Sequence, residues 1–147
     1  MSSWETREAP PGAALIVPAS IASLWTFVAW AGWQAIGLNS DGAGFLAQVV
    51  SRGGFTSYGD ANRLHAIVLT QVPLVAALQG GMTDLKWLAR IYSWTTLAIP
   101  ALLYSLALVR ARHDAALLGL VLAAVAAIFL PSCLFSIGEY NIAYAAV

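Results

Sequence analysis

Charge is what this sequence has least of. Only 10% of its 147 residues are Asp, Glu, Lys or Arg, and three stretches hold none at all: 9–40, 91–109 and 115–138. A helix of a water-soluble domain keeps a charged face toward solvent, so runs of this kind exclude a soluble core. Each run approaches or exceeds the roughly 20 residues that carry an α-helix across ~30 Å of hydrocarbon. Cysteine is nearly missing too. The single Cys133 excludes an intrachain disulfide and any cysteine-based metal cluster. In its apolar setting it reads as a small buried hydrophobe. Seven basic residues balance seven acidic ones, so no net charge exists to attract nucleic acid. Nucleophile elbows, phosphate-binding glycine loops, His-x-x-x-His pairs, internal repeats and low-complexity tracts are all absent.

Apolar residues dominate instead. They make up 60% of the chain, and the mean hydropathy is +0.75. This composition belongs to the membrane class. The predicted fold is all-α: a polytopic membrane protein with three transmembrane helices, 64–81 as the candidate fourth, and amphipathic interfacial helices in a large extracytoplasmic loop. One membrane domain accounts for 1–147.

Residues 1–12 form a polar, Pro-rich lead, expected to be disordered. It holds two Glu against one Arg, and the apolar run after it outlasts a signal-peptide core, so the first span is expected to stay as an anchor. That span is placed at 15–36, with Trp25, Trp30 and Trp33 thickening toward the far headgroup level. The extracytoplasmic loop covers 38–88. Asn39, Ser40 and Asp41 supply cap residues for a short helix whose apolar face is Phe45, Leu46, Val49 and Val50, ended by Gly53. Its length is too short to span and its one-sided pattern suits the membrane surface. Residues 55–63 read as an exposed loop. The stretch 64–81 lacks charge but carries His65, Thr70, Gln71 and Gln79, and Pro73 is expected to break a helix at its centre. It is either a poor span or a helix lying along the membrane face, and the second arrangement is preferred. Residues 91–109 form the second span, kinked at Pro100. Residues 115–131 form the third, closed by Pro131. Residues 132–147 return to the extracytoplasmic side and begin a further helix.

Sidedness follows from Arg110 and Arg112. They crowd the short 110–114 turn, and short basic loops stay cytoplasmic. The expected location is the inner (plasma) membrane, with Asp41 and Glu139 both at the opposite, extracytoplasmic boundary. A carboxylate there can act as a general base, bind a metal or organise a lipid phosphate; Asp41 can equally cap the 42–51 helix, and Glu139 can simply mark a span's end. His65 beside Arg63 can bind phosphate or donate a proton, or both are solvated loop residues. Asp60 and Asp84 suit turns and caps. Lys86 and Arg90 around Trp87 suit headgroup contact.

Three segments together resemble the N-terminal region of the GT-C class of membrane glycosyltransferases, which use polyprenyl-phosphate sugar donors. Asp41 is followed by GAGFLAQVVSRGGF, as in the acidic start of that class's first extracytoplasmic loop. HAIVLTQVPLVAALQGGMTDLKWLARIYSW, with His65, Pro73, Gly80 and Arg90, looks like the segment leading into the family's second span. PSCLFSIGEYN places Glu139 where the next loop often holds another acid. The family's adjacent His-Pro-Pro is not reproduced, because His65 and Pro73 stand apart in the chain. The resemblance implies Asp41 as general base, Glu139 and His65 around the lipid phosphate, where Arg63 joins through its place beside His65, and Glu139 as the candidate ligand of a divalent metal ion. It implies membrane lipid and a polyprenyl-phosphate sugar as partners, and further spans in a full-length enzyme, so that these 147 residues alone are inactive. The reading from a different class is a small non-enzymatic membrane subunit acting through helix packing, with Gly32 and Gly119 permitting close helix–helix association.

The topology is directly testable. Single cysteines at Ser57, Ala111 and Asn141 in a Cys133→Ala background are expected to react with an impermeant thiol reagent on intact cells at 57 and 141 only. Labelling at 111 rejects the arrangement.

Overall fold

The structure, a computed structural model, describes residues 10–39, 42–56 and 64–135, with the backbone alone at 64–67, 134 and 135. Helix α1 (Ala13–Trp33) is followed by a 3-10 turn (Ile36–Leu38), α2 (Gly42–Arg52), α3 (Leu64–Gln79) and α4 (Leu85–Ala111). Helix α5 (Ala115–Ala124) runs through a π-helical turn (Val125–Phe129) into α6 (Leu130–Phe135). No strand occurs among the described residues. The protein is an all-α polytopic membrane protein. Among the described residues three helices are long and apolar enough to cross a membrane: Ala13–Trp33, Leu85–Ala111 and Ala115–Cys133.

Helices α1 and α4 form an antiparallel seam. Along α1 the buried residues are Ala13, Val17, Leu24, Val28, Ala31 and Gly32, a stripe recurring every three to four positions. Helix α4 answers with Leu97, Ala101, Tyr104 and Leu108. The stripe is narrow because lipid solvates the remaining faces as readily as protein does. Two indoles lock the register across it. Trp94 Nε1 donates to the Ala29 carbonyl oxygen at 3.1 Å, and Trp25 Nε1 donates to Ser105 Oγ at 3.1 Å. Trp25 therefore belongs to the helix–helix seam and not to the headgroup belt that its spacing from Trp30 and Trp33 suggests. Partnering its N–H within the apolar layer avoids leaving a donor unsatisfied.

Gly32 faces the Trp94 indole so closely that a Cβ there would fall inside the ring's own space. Gly119 differs. Nothing approaches the position of its absent Cβ, so the helix contact expected there does not form among the described residues. The third span lies along both helices of this pair: Leu118 of α5 clusters with Val17 and Leu108, and Phe129 of the π turn packs edge-on to Phe27 at 6.4 Å and against Tyr104 at 5.6 Å. Cys133 is fully buried in that cluster as a free thiol.

Proline behaves differently from expectation at two places. Helix α3 continues through Pro73, which is exposed, and the carbonyl it deprives of a partner belongs to Leu69, itself 59% exposed. Losing a bond on an outward face does not break the helix. The third span likewise does not close at Pro131. The chain widens into the π turn just before it, which relieves the clash between the proline ring and the preceding turn, and helix resumes to Phe135. Helix α4 is continuous through the buried Pro100.

At about 1.5 Å per residue, α1 is roughly 31 Å long and α4 roughly 40 Å, whereas α3 reaches only about 24 Å, short of a ~30 Å hydrocarbon layer. Helix α3 instead folds back on α4, with Leu74 and Val75 in one cluster with Leu88, Ala89 and Tyr92. Leu46 and Val49 of α2 join that cluster. The apolar side of α2 is thus spent largely on protein, not on the membrane surface. Gly53, at φ 64°, ends α2 as its left-handed terminator. Aspartates start the later helices: Asp84 Oδ1 accepts from Lys86 N at 2.8 Å and caps α4, and Asp114 Oδ1 accepts from Ala116 N at 3.0 Å and caps α5.

The two glycines give opposite expectations. Gly32→Ala should destabilise the protein by about 1–3 kcal/mol through overpacking against Trp94. Gly119→Ala should be neutral or stabilising by up to ~1 kcal/mol, as in an open helix interior. Thermal unfolding in detergent distinguishes them, and equal midpoints for both variants contradict the seam.

Candidate functional site

The four residues expected to carry chemistry divide simply. Asp41, Arg63 and Glu139 lie outside the described residues, and His65 enters only through its backbone, in the first turn of α3. Of the caps, Asp60 also lies outside them, while Asp84 takes the role expected of it. Among the described residues no three His, Cys, Asp or Glu side chains converge as metal ligands.

What is built in detail is the end of the bundle where α1 finishes and α4 begins. Trp33 is the last residue of α1, and its carbonyl is among those an α-helix leaves without an internal partner. Arg90, from α4, donates its Nε to that oxygen at 3.1 Å. The last turn of α1 has no basic residue of its own, so α4 supplies the cation that favours the negative end of the α1 dipole. The same guanidinium sits against aromatic rings: its Cζ is 3.7 Å from the centroid of Trp33 and 5.0 Å from that of Trp87. Those two indoles meet edge to face at 6.0 Å, and Trp33 also meets Trp94 at 6.5 Å. Arg90 is therefore held in place by a hydrogen bond and two ring contacts.

Beside this cluster the chain passes very close to α4. A Cβ on Gly37 would lie 2.6 Å from Ser93 Oγ and 2.6 Å from Ser93 Cα. Ser93 Oγ is fully buried and finds no hydrogen-bond partner. Gly42, at the start of α2, abuts the Gly37 carbonyl. The residues on either side of 40–41 are thus anchored on α4.

A second polar device ties α2 to α3. Gln71, 1% exposed, reads both backbone groups of Thr56: its Oε1 accepts from Thr56 N at 3.0 Å, and its Nε2 donates to Thr56 O at 3.1 Å. Thr56 Oγ1 donates in turn to Gln48 Oε1 at 2.6 Å. Gln71 reads in the sequence as a polar interruption of an apolar run. Its contribution is to end the otherwise free backbone of the α2–α3 connection as a satisfied, buried anchor. The signal available beforehand was an amide surrounded by apolar residues on a helix too short to span.

No protein family, curated protein or solved structure matches the chain.

Replacing Gln71 with Leu strands a buried N–H and C=O on Thr56, each worth about 1–3 kcal/mol. Amide exchange at Thr56 is expected to accelerate at least about tenfold, with exchange in α4 unchanged. Unaltered exchange at Thr56 rules the anchor out.

Proposed function

We propose that this chain is the N-terminal membrane region of a GT-C-like glycosyltransferase, acting in the plasma membrane on the extracytoplasmic side. In the full-length enzyme a sugar passes from a polyprenyl-phosphate donor to an acceptor hydroxyl. Asp41 takes the acceptor proton as the acceptor oxygen attacks the anomeric carbon, and the polyprenyl phosphate leaves with the electron pair of the broken bond. Glu139, with His65 and Arg63, attends the donor phosphate or a divalent metal ion.

The order of elements supports this reading best. A first span is followed at once by a short helix beginning after Asp41, then by a helix that folds back along α4, then by a second span with Arg90 near its start. Helices α2 and α3 and the start of α4 form one compact cluster at the Trp33 end, where an enzyme drawing a substrate from the lipid layer needs ordered chain. Arg110 and Arg112 in the opposite, short turn support the cytoplasmic assignment of that end. A non-enzymatic role through helix packing draws on the close seating of Gly32 under Trp94, which an enzyme needs equally.

Asp41 decides between the two. In a full-length chain carrying this region, Asp41→Asn is expected to lower sugar transfer by about 10²–10⁴-fold, the usual cost of losing a general base, with donor binding retained. Undiminished transfer makes Asp41 a helix cap and favours the packing role.

A further inference from the structure

We infer that Arg90, seated on Trp33 and flanked by Trp87, is a binding site for the phosphate of an anionic phospholipid. The inference stands independently of sugar transfer. Arg90 spends its Nε on the Trp33 carbonyl, and its two terminal nitrogens make no hydrogen bond among the described residues. The Trp33 ring lies against it and the Trp87 ring, edge-on to Trp33, flanks it, so the guanidinium is held in place before any ligand arrives. What remains is a fixed, charged fork of N–H donors. Such a fork matches two oxygens of a phosphate, and fixing it in advance removes most of the side-chain entropy that binding would otherwise cost.

The depth of the site selects lipid over a dissolved anion. Trp33 and Trp87 are 48% and 40% exposed at the end of the α1–α4 pair, and half-exposed indoles at a span's end settle at the headgroup level. A phosphodiester stands at that level in every leaflet. Lys86 lies one helical turn before Arg90 on the same side of α4 and is exposed, adding a second cation to the same lipid surface. The nearby carboxylate, Asp84, is turned onto the amides of Lys86 and Trp87, where it caps α4. An anionic headgroup therefore meets two cations at this place, and each adds to the attraction of the charged lipid surface.

The test uses the whole chain in nanodiscs containing equal amounts of phosphatidylglycerol and phosphatidylcholine, released for native mass spectrometry. The expected result is selective retention of phosphatidylglycerol, about tenfold weaker in Arg90→Lys, which keeps the charge but not the planar fork, and also weakened in Arg90→Gln. Lys86→Gln should reduce retention by a smaller factor. If Arg90→Gln fails to fold, the Arg90→Lys comparison stands alone, since that variant still places a cation at the end of α1. Equal retention in wild type and Arg90→Lys overturns the site. So does displacement of phosphatidylglycerol by millimolar inorganic phosphate, which would identify a soluble anion as the ligand. Because no sugar donor is present, failure here leaves the glycosyltransferase reading untouched, and inactivity of Asp41→Asn leaves this site untouched.

Discussion

Inside hydrocarbon a backbone N–H or C=O has no water to turn to, and each one left unpaired costs several kcal/mol. That constraint orders the whole molecule. It makes the apolar runs helical, and it obliges every polar group carried into the seam to find a partner there. Trp25 finds Ser105, Trp94 finds Ala29, and the hydroxyl of Thr96 turns back on the Tyr92 carbonyl at 2.9 Å. Helix α4 is the common partner in this scheme. It packs against α1 and the third span along its length and against the α2–α3 unit at its N-terminal end, which is why half of its apolar window is buried while α1 and the third span mostly face outward.

Arg90 extends the same logic to the membrane boundary. The end of α1 leaves carbonyls unpaired, the interface supplies aromatic rings, and one guanidinium satisfies the first while stacking on the second. Arginine suits all of these tasks because its charge is planar and delocalised, whereas lysine's point charge would pair with the carbonyl but offer no planar group to the indoles. The α2–α3 unit is held by a comparable substitution of side chain for backbone. Gln71 presents to Thr56 an amide's donor and acceptor together, so one turn of chain is tied down as a strand neighbour would tie it. Among the described residues Ser93 departs from this pairing. Gly37 sits so close to it that its hydroxyl is enclosed without a partner, and the tight passage of chain across α4 is obtained against that cost.

How far the residues alone foretold this differs from element to element. Three spans are evident from the uncharged runs, because excluding charge over twenty residues has no other common cause. The caps at Asp84 and the terminator at Gly53 are local chemistry, set within four residues, and local chemistry can be read locally. Proline was the weaker guide. Its effect depends on which carbonyl it orphans and on where that carbonyl faces, so Pro73 on an outward face and Pro131 behind a π turn are both carried within helix. Of the candidate site, Asp41 and Glu139 rest on sequence resemblance and Arg63 on its place beside His65, while the Trp33–Arg90–Trp87 cluster joins residues from two helices far apart in the chain.

The sequence by itself determined the class of protein, the number of long spans and their approximate limits, because transfer from water to hydrocarbon is close to a sum over residues. Only the tertiary structure decided that α3 folds back on α4, that Gly32 rather than Gly119 is the point of close approach, and that Arg90 is held against two indoles. Those outcomes depend on distances between residues remote in sequence. A hydropathy sum has no term for which faces meet.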